Sequence, residues 1–335
     1  MKRIVGVLLV AVLAFGLFAM PAGADEQIKE LSFGICPTDS IDNMKKWFEP
    51  FAADLSKKIG IKITPYYGND YAAIIEAMRF KKVDFGWFGN KGAIEAVDRA
   101  GAEVFAQCTE LDGSPGYWSL IIVHKDSPYN TIDDIIAHGK DLVFGNGDPN
   151  STSGYLVPGY FVWAVKGINP DTLFKEVRNA NHEANNLAVA RKQVDFATNN
   201  TMAQKRFQKT NPDLANNIKI IWQSPLIPND PFCWRTDLPD EVKAKLKAAI
   251  LSYGRLGPDA EKEREILAGI GSGWAPFNNS DNRQLLPIRQ INLAKDKSKI
   301  EQNNDLGSDE KTKRLAEIDH KIVELKSYYD MVQKY

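Results

Sequence analysis

Leu142-Val143-Phe144-Gly145-Asn146-Gly147-Asp148-Pro149-Asn150-Ser151-Thr152-Ser153-Gly154 sets an apolar strand pattern against a polar turn, and a helix-like segment follows from Tyr155. Such a turn puts three hydroxyls beside backbone N–H groups that have no intrahelical partner, where the helix dipole favours negative charge. It reads as an anion cradle. An ordinary N-cap with a glycine turn uses the same residue types, so the stretch alone leaves both readings open.

The stretch has an echo at a constant offset of 111 residues. Leu31-Ser32-Phe33-Gly34 with Ser40 aligns on Leu142-Val143-Phe144-Gly145 with Ser151, and in the same register Val83-Asp84-Phe85 aligns on Val194-Asp195-Phe196. Tyr71 falls opposite His182. Two copies of one plan predict two lobes with a ligand in the crevice between them, facing the carboxyl ends of strands. Ser40 and Tyr71 of one lobe then face Ser151 and His182 of the other.

Around these anchors, short apolar runs alternate with amphipathic helical stretches, the βαβα rhythm of an α/β sheet covered by helices on both faces. Met44, Trp47, Phe48, Phe51, Leu55 and Ile59 lie at helical spacing and stop at Gly60; Pro50 belongs in that helix's first turn or kinks it. Strands are expected at 31–36, 61–67, 83–88, 103–109, 119–125, 141–145, 174–178, 194–198, 218–223 and 232–235, with a helix over 155–166. Thr131-Ile132-Asp133-Asp134 is a capping box. Ser224-Pro225-Leu226-Ile227-Pro228-Asn229-Asp230-Pro231 reads as a stiffened crossover back to the first lobe, and Trp274-Ala275-Pro276-Phe277 as core packing. The expected division is 25–118 with 229–300 for the first lobe, 119–228 for the second, and a C-terminal helix over 301–335. In that last segment Leu315, Ile318, Ile322, Leu325, Tyr329 and Val332 form an a/d seam, for packing on the chain itself or for a homodimer.

Residues 1–24 read as an export signal: basic Lys2 and Arg3, an apolar run, then Ala22-Gly23-Ala24 before Asp25, with cleavage after Ala24 and a periplasmic destination. Without that segment, 40 basic residues stand against 43 acidic ones, which gives no electrostatic case for nucleic acid. Cys36, Cys108 and Cys233 are scattered and odd in number, unlike a disulfide framework. His124, His138, His182 and His320 include no pair at metal-ligand spacing, and no catalytic motif appears. Catalysis, a cofactor and a resident metal are not expected. Neutral hydroxyls and N–H groups suit reversible capture of an oxyanion, phosphoryl or phosphonyl above all.

Ala72–Phe80, Asp112–Trp118, Phe144–Tyr160 and Ser224–Pro228 carry a resemblance to the phosphonate-binding periplasmic proteins of ABC importers. The resemblance implies a type II, two-lobed binding-protein fold with two crossovers, and a membrane permease and ATPase as partners. It implies that Ser151, Thr152 and Ser153 hold the phosphonate, with Tyr71, Tyr117 and His182 completing that end. Of the two acids that hold an aminoalkyl tail in the family, one matches Asp230. The other falls on Met202, which predicts weaker selectivity for an amine and an alkyl chain against the thioether, unless another acid such as Glu183 moves in. Phosphite, phosphate or another small oxyanion is the alternative cargo.

Overall fold

The computed structural model describes residues 28–303 and 305–332; the segment read as an export signal lies outside the described residues, and so do the side chains of Tyr329 and Val332. The strands in chain order are β1 (Glu30–Ile35), β2 (Lys62–Tyr67), β3 (Phe85–Trp87), β4 (Ala102–Glu110), β5 (Gly116–Tyr117), β6 (Ser119–His124), β7 (Val143–Gly147), β8 (Glu176–Ala180), β9 (Phe196–Asn200), β10 (Ile218–Gln223), β11 (Ile227–Pro228), β12 (Pro231–Arg235) and β13 (Trp274–Asn279). The helices are α1 (Ile41–Ile59), α2 (Tyr71–Arg79), α3 (Asn90–Ala100), α4 (Ile132–Ala137), α5 (Pro170–Leu173), α6 (His182–Ala190), α7 (Thr201–Thr210), α8 (Pro212–Ala215), α9 (Asp240–Ser252), α10 (Ala260–Gly269), α11 (Leu286–Gln302) and α12 (Ser308–Val332).

They form two lobes of one plan. The first sheet runs β13-β4-β12-β3-β1-β2 and the second β10-β6-β9-β7-β8. In each, the first strand of the repeat (β1, β7) lies between the second (β2, β8) and the third (β3, β9), and all three run parallel. An antiparallel strand comes next: β12 in one lobe, after the chain has returned from the other, and β6 in the second lobe, where the chain first enters it.

The offset of 111 residues holds to atomic detail. Asp84 Oδ2 accepts the Ser32 N–H at 2.8 Å, and Asp195 Oδ2 accepts the Val143 N–H at 2.7 Å. Phe33 stacks on Phe85 at 4.8 Å, Phe144 on Phe196 at 4.5 Å. Asp70 caps α2 through the Ala73 N–H, and Asn181 caps α6 through the Ala184 N–H. Both helices are followed by a lysine in the left-handed region, Lys81 and Lys192. An apolar run, a carboxylate that ties two strand starts together and a capped helix recur because each lobe solves the same packing problem.

The two crossovers pair with each other. β5 and β11 form an antiparallel ribbon between the lobes, with Ile227 opposite Tyr117 and Pro228 opposite Gly116. Ser119 and Ser224 fasten its second-lobe end, through the Ser119 N–H to Ser224 Oγ at 2.9 Å and the Ser224 N–H to the Ser119 carbonyl at 3.0 Å. A Cβ on Gly116 would lie 2.1 Å from the Ile227 carbonyl oxygen, so only glycine lets the two passes approach this closely.

Several expectations shift. Pro50 sits in the middle of α1 and on its exposed side, where water can satisfy the carbonyl that loses its partner. The regular helix expected over 155–166 is replaced by two π turns, Thr152–Leu156 and Gly159–Trp163, and a short 3-10 turn, Ala164–Lys166. β8 starts two residues later than expected because it is a solvent-exposed edge without alternation, while Phe174 turns into the core. The capping box at Thr131 and Asp134 is present. All three cysteines are buried and unpaired.

The C-terminal helices lie on the body of the chain. α11 touches both lobes: Arg289 pairs with Asp98 of α3 at 2.6 Å, and Lys295 stands over the Tyr155 ring at 4.0 Å. α12 packs back on α11, with Lys297 paired to Asp319 at 2.6 Å and Ile318 buried. The a/d seam is thus used within the chain. Val323 is exposed on the other face.

Candidate binding site

The cleft lies where the carboxyl ends of β1, β3, β4 and β9 and the starts of α2, α6, α7 and the first π turn converge. Helix starts expose N–H groups and a partial positive charge, so the arrangement favours an anion without a buried lysine. The lobes are closed on one another. Asp148 of the second lobe accepts the Tyr71 N–H of the first at 3.3 Å, and its burial raises its pKa. In the reciprocal position, the Glu183 N–H reaches the Thr38 carbonyl at 3.4 Å. Arg206 Nε donates to Asp39 Oδ2 at 2.8 Å, and both side chains are more than nine-tenths buried.

The cradle is built as a turn that folds over its own strand. The Ser151 N–H bonds the Asp148 carbonyl at 2.8 Å, and Ser151 Oγ accepts the Gly154 N–H at 3.0 Å. Gly147 packs against Gly154 so closely that a Cβ would stand 2.4 Å from the Gly154 carbonyl carbon. Thr198 Oγ1 donates to the Gly154 carbonyl and Ser119 Oγ to the Ser153 carbonyl, both at 2.6 Å. These bonds fix the backbone and leave hydroxyls turned to the cleft. Ser151, Thr152 and Ser153 are each 2% exposed, too little for water to be their ordinary partner.

Asn200, the N-cap of α7, donates to Ser153 Oγ at 2.9 Å and to His182 Nε2 at 3.1 Å. With Nε2 accepting, the neutral imidazole carries its proton on Nδ1, which has no partner. Burial, then the Arg206 charge, pushes the His182 pKa down to about 3, so the ring is a neutral donor. Tyr117 donates its hydroxyl to Asp230 Oδ1 at 2.8 Å, and burial drives the Tyr117 pKa up. Tyr71 is likewise buried, with its pKa raised by desolvation.

Ser151, Thr152, Ser153, Tyr71, Tyr117, His182, Asp230 and Met202 all line one cavity. Ser40 does not. It is exposed at the start of α1, and its N–H is taken by Glu183, which also accepts from Asn43 and so stays at the rim. The sequence reading missed Asn200, Arg206 and Glu110. Asn200 was within reach: it stands 111 residues after Gly89, the N-cap of α3, and both line the cavity. Trp274, expected in the core, packs there and lines the cavity as well.

A family model described as "ABC transporter, phosphonate, periplasmic substrate-binding protein" matches residues 33–285. The chain belongs to this family. It is the phosphonate-binding component of an ABC transporter, a periplasmic solute-binding protein and not an enzyme. It is 48% identical over 305 residues to the phosphonates-binding periplasmic protein of Escherichia coli K12, covering 91% of this chain and 88% of that one. A crystal structure of a binding protein component of an ABC phosphonate transporter from Pseudomonas aeruginosa superposes with a TM-score of 0.87 at 46% identity, over 91% of this chain and 99% of the other. PhnD1 of Prochlorococcus marinus, solved in complex with methylphosphonate, shares the fold: TM-score 0.67 at 24% identity, over 78% of this chain and 97% of that one.

Proposed function

We propose that the lobes close on a phosphonate whose head rests on Ser151, Thr152 and Ser153, with Tyr71, Tyr117 and His182 around it and the carbon tail pointing toward Met202 and Asp230. The single observation that carries this reading is the set of three buried hydroxyls at a helix start inside a closed cleft. Donors without formal charge grip the dianion or monoanion and still release it when the lobes part. Ligand shifts the open–closed equilibrium only by its preference for the closed form. The closed protein then presents both lobes to the permease, which its ATPase drives.

Phosphite and phosphate would fill the cradle alone. The cavity runs on past it to Met202, Glu110 and Trp274, which supports a cargo with a carbon substituent. Thermal-shift competition tests this reading: methyl-, ethyl- and 2-aminoethylphosphonate should each stabilise the protein more than phosphite or phosphate at equal concentration. Equal or greater stabilisation by phosphate would sink it.

Export with cleavage after Ala24 and lobes meeting at residues 118 and 228 belong to the same proposal; mass spectrometry of the mature protein reads the first directly. A homodimer through α12 would have to use the face carrying Val323, because the seam packs on α11. We therefore propose a monomer, which a mass of two chains in light scattering would refute.

A further inference from the structure

We infer that Glu110 is the second acid of the tail subsite, and that with Asp230 it holds a positively charged amino group on the carbon chain of the phosphonate. This rests on the phosphonate reading above. Cys108 and Glu110, two apart on β4, project from the same side of the strand, and both line the cavity. The Cys108 N–H bonds the Asp230 carbonyl at 2.9 Å, so Asp230 lies beside Cys108 and Glu110 follows about 7 Å further along the strand. The two carboxyls therefore flank one length of cavity.

Neither acid has a basic hydrogen-bond partner among the described residues. Asp230 accepts from Tyr117 and Asn90, and Glu110 from Ser272 Oγ at 3.3 Å. The cations nearest Glu110 are committed elsewhere, Lys205 to Asp112 and Arg206 to Asp39. Burial pushes both carboxyls up to about 7. Two enclosed acids without a counter-charge are costly as carboxylates, and a ligand ammonium supplies the missing charge.

The remaining walls fit such a tail. Trp47, Trp87 and Trp274 line the same cavity, where indole faces attract a cation, and Met202 offers an apolar surface to methylenes. His182, Trp87 and Arg206, which line this cavity, each carry a buried nitrogen without a partner, Nδ1, Nε1 and Nη2 respectively, as in a site made to be filled. The loss of amine selectivity that Met202 suggested is thereby offset from the opposite lobe.

Calorimetric titration of the full mature chain with 2-aminoethylphosphonate and ethylphosphonate decides the matter. Glu110→Gln should weaken 2-aminoethylphosphonate about ten- to a hundredfold and ethylphosphonate by less than about threefold. Glu110→Ala should show the same selective loss, and retained ethylphosphonate binding certifies the fold of either variant. An unchanged affinity for the amine, or equal losses for both ligands in both variants, overturns the role of Glu110 alone. Failure of the wild-type chain to bind any phosphonate overturns the underlying reading instead.

Discussion

The Lys91 N–H donates to Thr152 Oγ1 at 2.8 Å, joining the start of α3 in the first lobe to the central hydroxyl of the cradle in the second. The bond exists only while the lobes are closed, so Thr152 reports on closure as well as on ligand. Replacing it with valine keeps the volume and deletes the acceptor. Thr152→Val should cost about 1–3 kcal/mol of phosphonate binding, read by calorimetry, because a buried N–H is left unpaired.

Arg206 and Asp39 form a further closure contact, and Thr38 Oγ1 adds a bond to the same Asp39 oxygen at 2.8 Å. Breaking a buried pair strands a charge, whereas in the open form water can solvate it. Asp39→Asn should therefore weaken phosphonate binding about tenfold or more while leaving the melting temperature of the ligand-free protein within a few degrees. Small-angle scattering with saturating ethylphosphonate should show an incompletely closed variant.

Asp230 gives a pH signature. Its pKa is raised by burial up to about 7, against an ordinary value of 3.8. The folded chain thus keeps a proton that the unfolded chain releases, and that stabilising contribution is whole below the ordinary value and lost as pH rises through about 7. Asp230→Asn cannot titrate. With saturating ethylphosphonate, which holds the lobes closed over this carboxyl, the melting temperature of the variant relative to wild type should climb between about pH 4 and pH 8. A difference that stays flat across that range would contradict the assignment.

Gly116 tests the hinge. A methyl group there must displace the Ile227 carbonyl and break the ribbon that joins the lobes. Gly116→Ala should lower stability by about 1–3 kcal/mol in denaturant titration and weaken phosphonate binding in parallel, since the crossovers set how the lobes meet.

The fold was legible because the repeat is physical. Phe33 with Phe85 and Phe144 with Phe196 recur in sequence because the same stacked pair fills each lobe. The cradle was legible because its residue types are dictated by helix-start chemistry. Ser40 shows where symmetry ends: its lobe offers the α1 start to Glu183 at the rim, so the counterpart of Ser151 has no hydroxyl role in the cavity. Glu110 escaped notice for a different reason. Its strand was expected to end at Thr109 and runs one residue further, to Glu110, where pairing with Trp274 keeps it in the sheet. A surface-loop glutamate says nothing about a site, whereas a strand glutamate in step with Cys108 points into it.

A crystal structure of the mature chain with ethylphosphonate bound tests the central claim most directly. It should place phosphonate oxygens about 2.5–3.0 Å from the Ser151 and Ser153 hydroxyls and the N–H groups of the cradle, with the ethyl group toward Met202. A phosphonate seated elsewhere in the cleft, with the cradle hydroxyls bonded only to the protein, would contradict it.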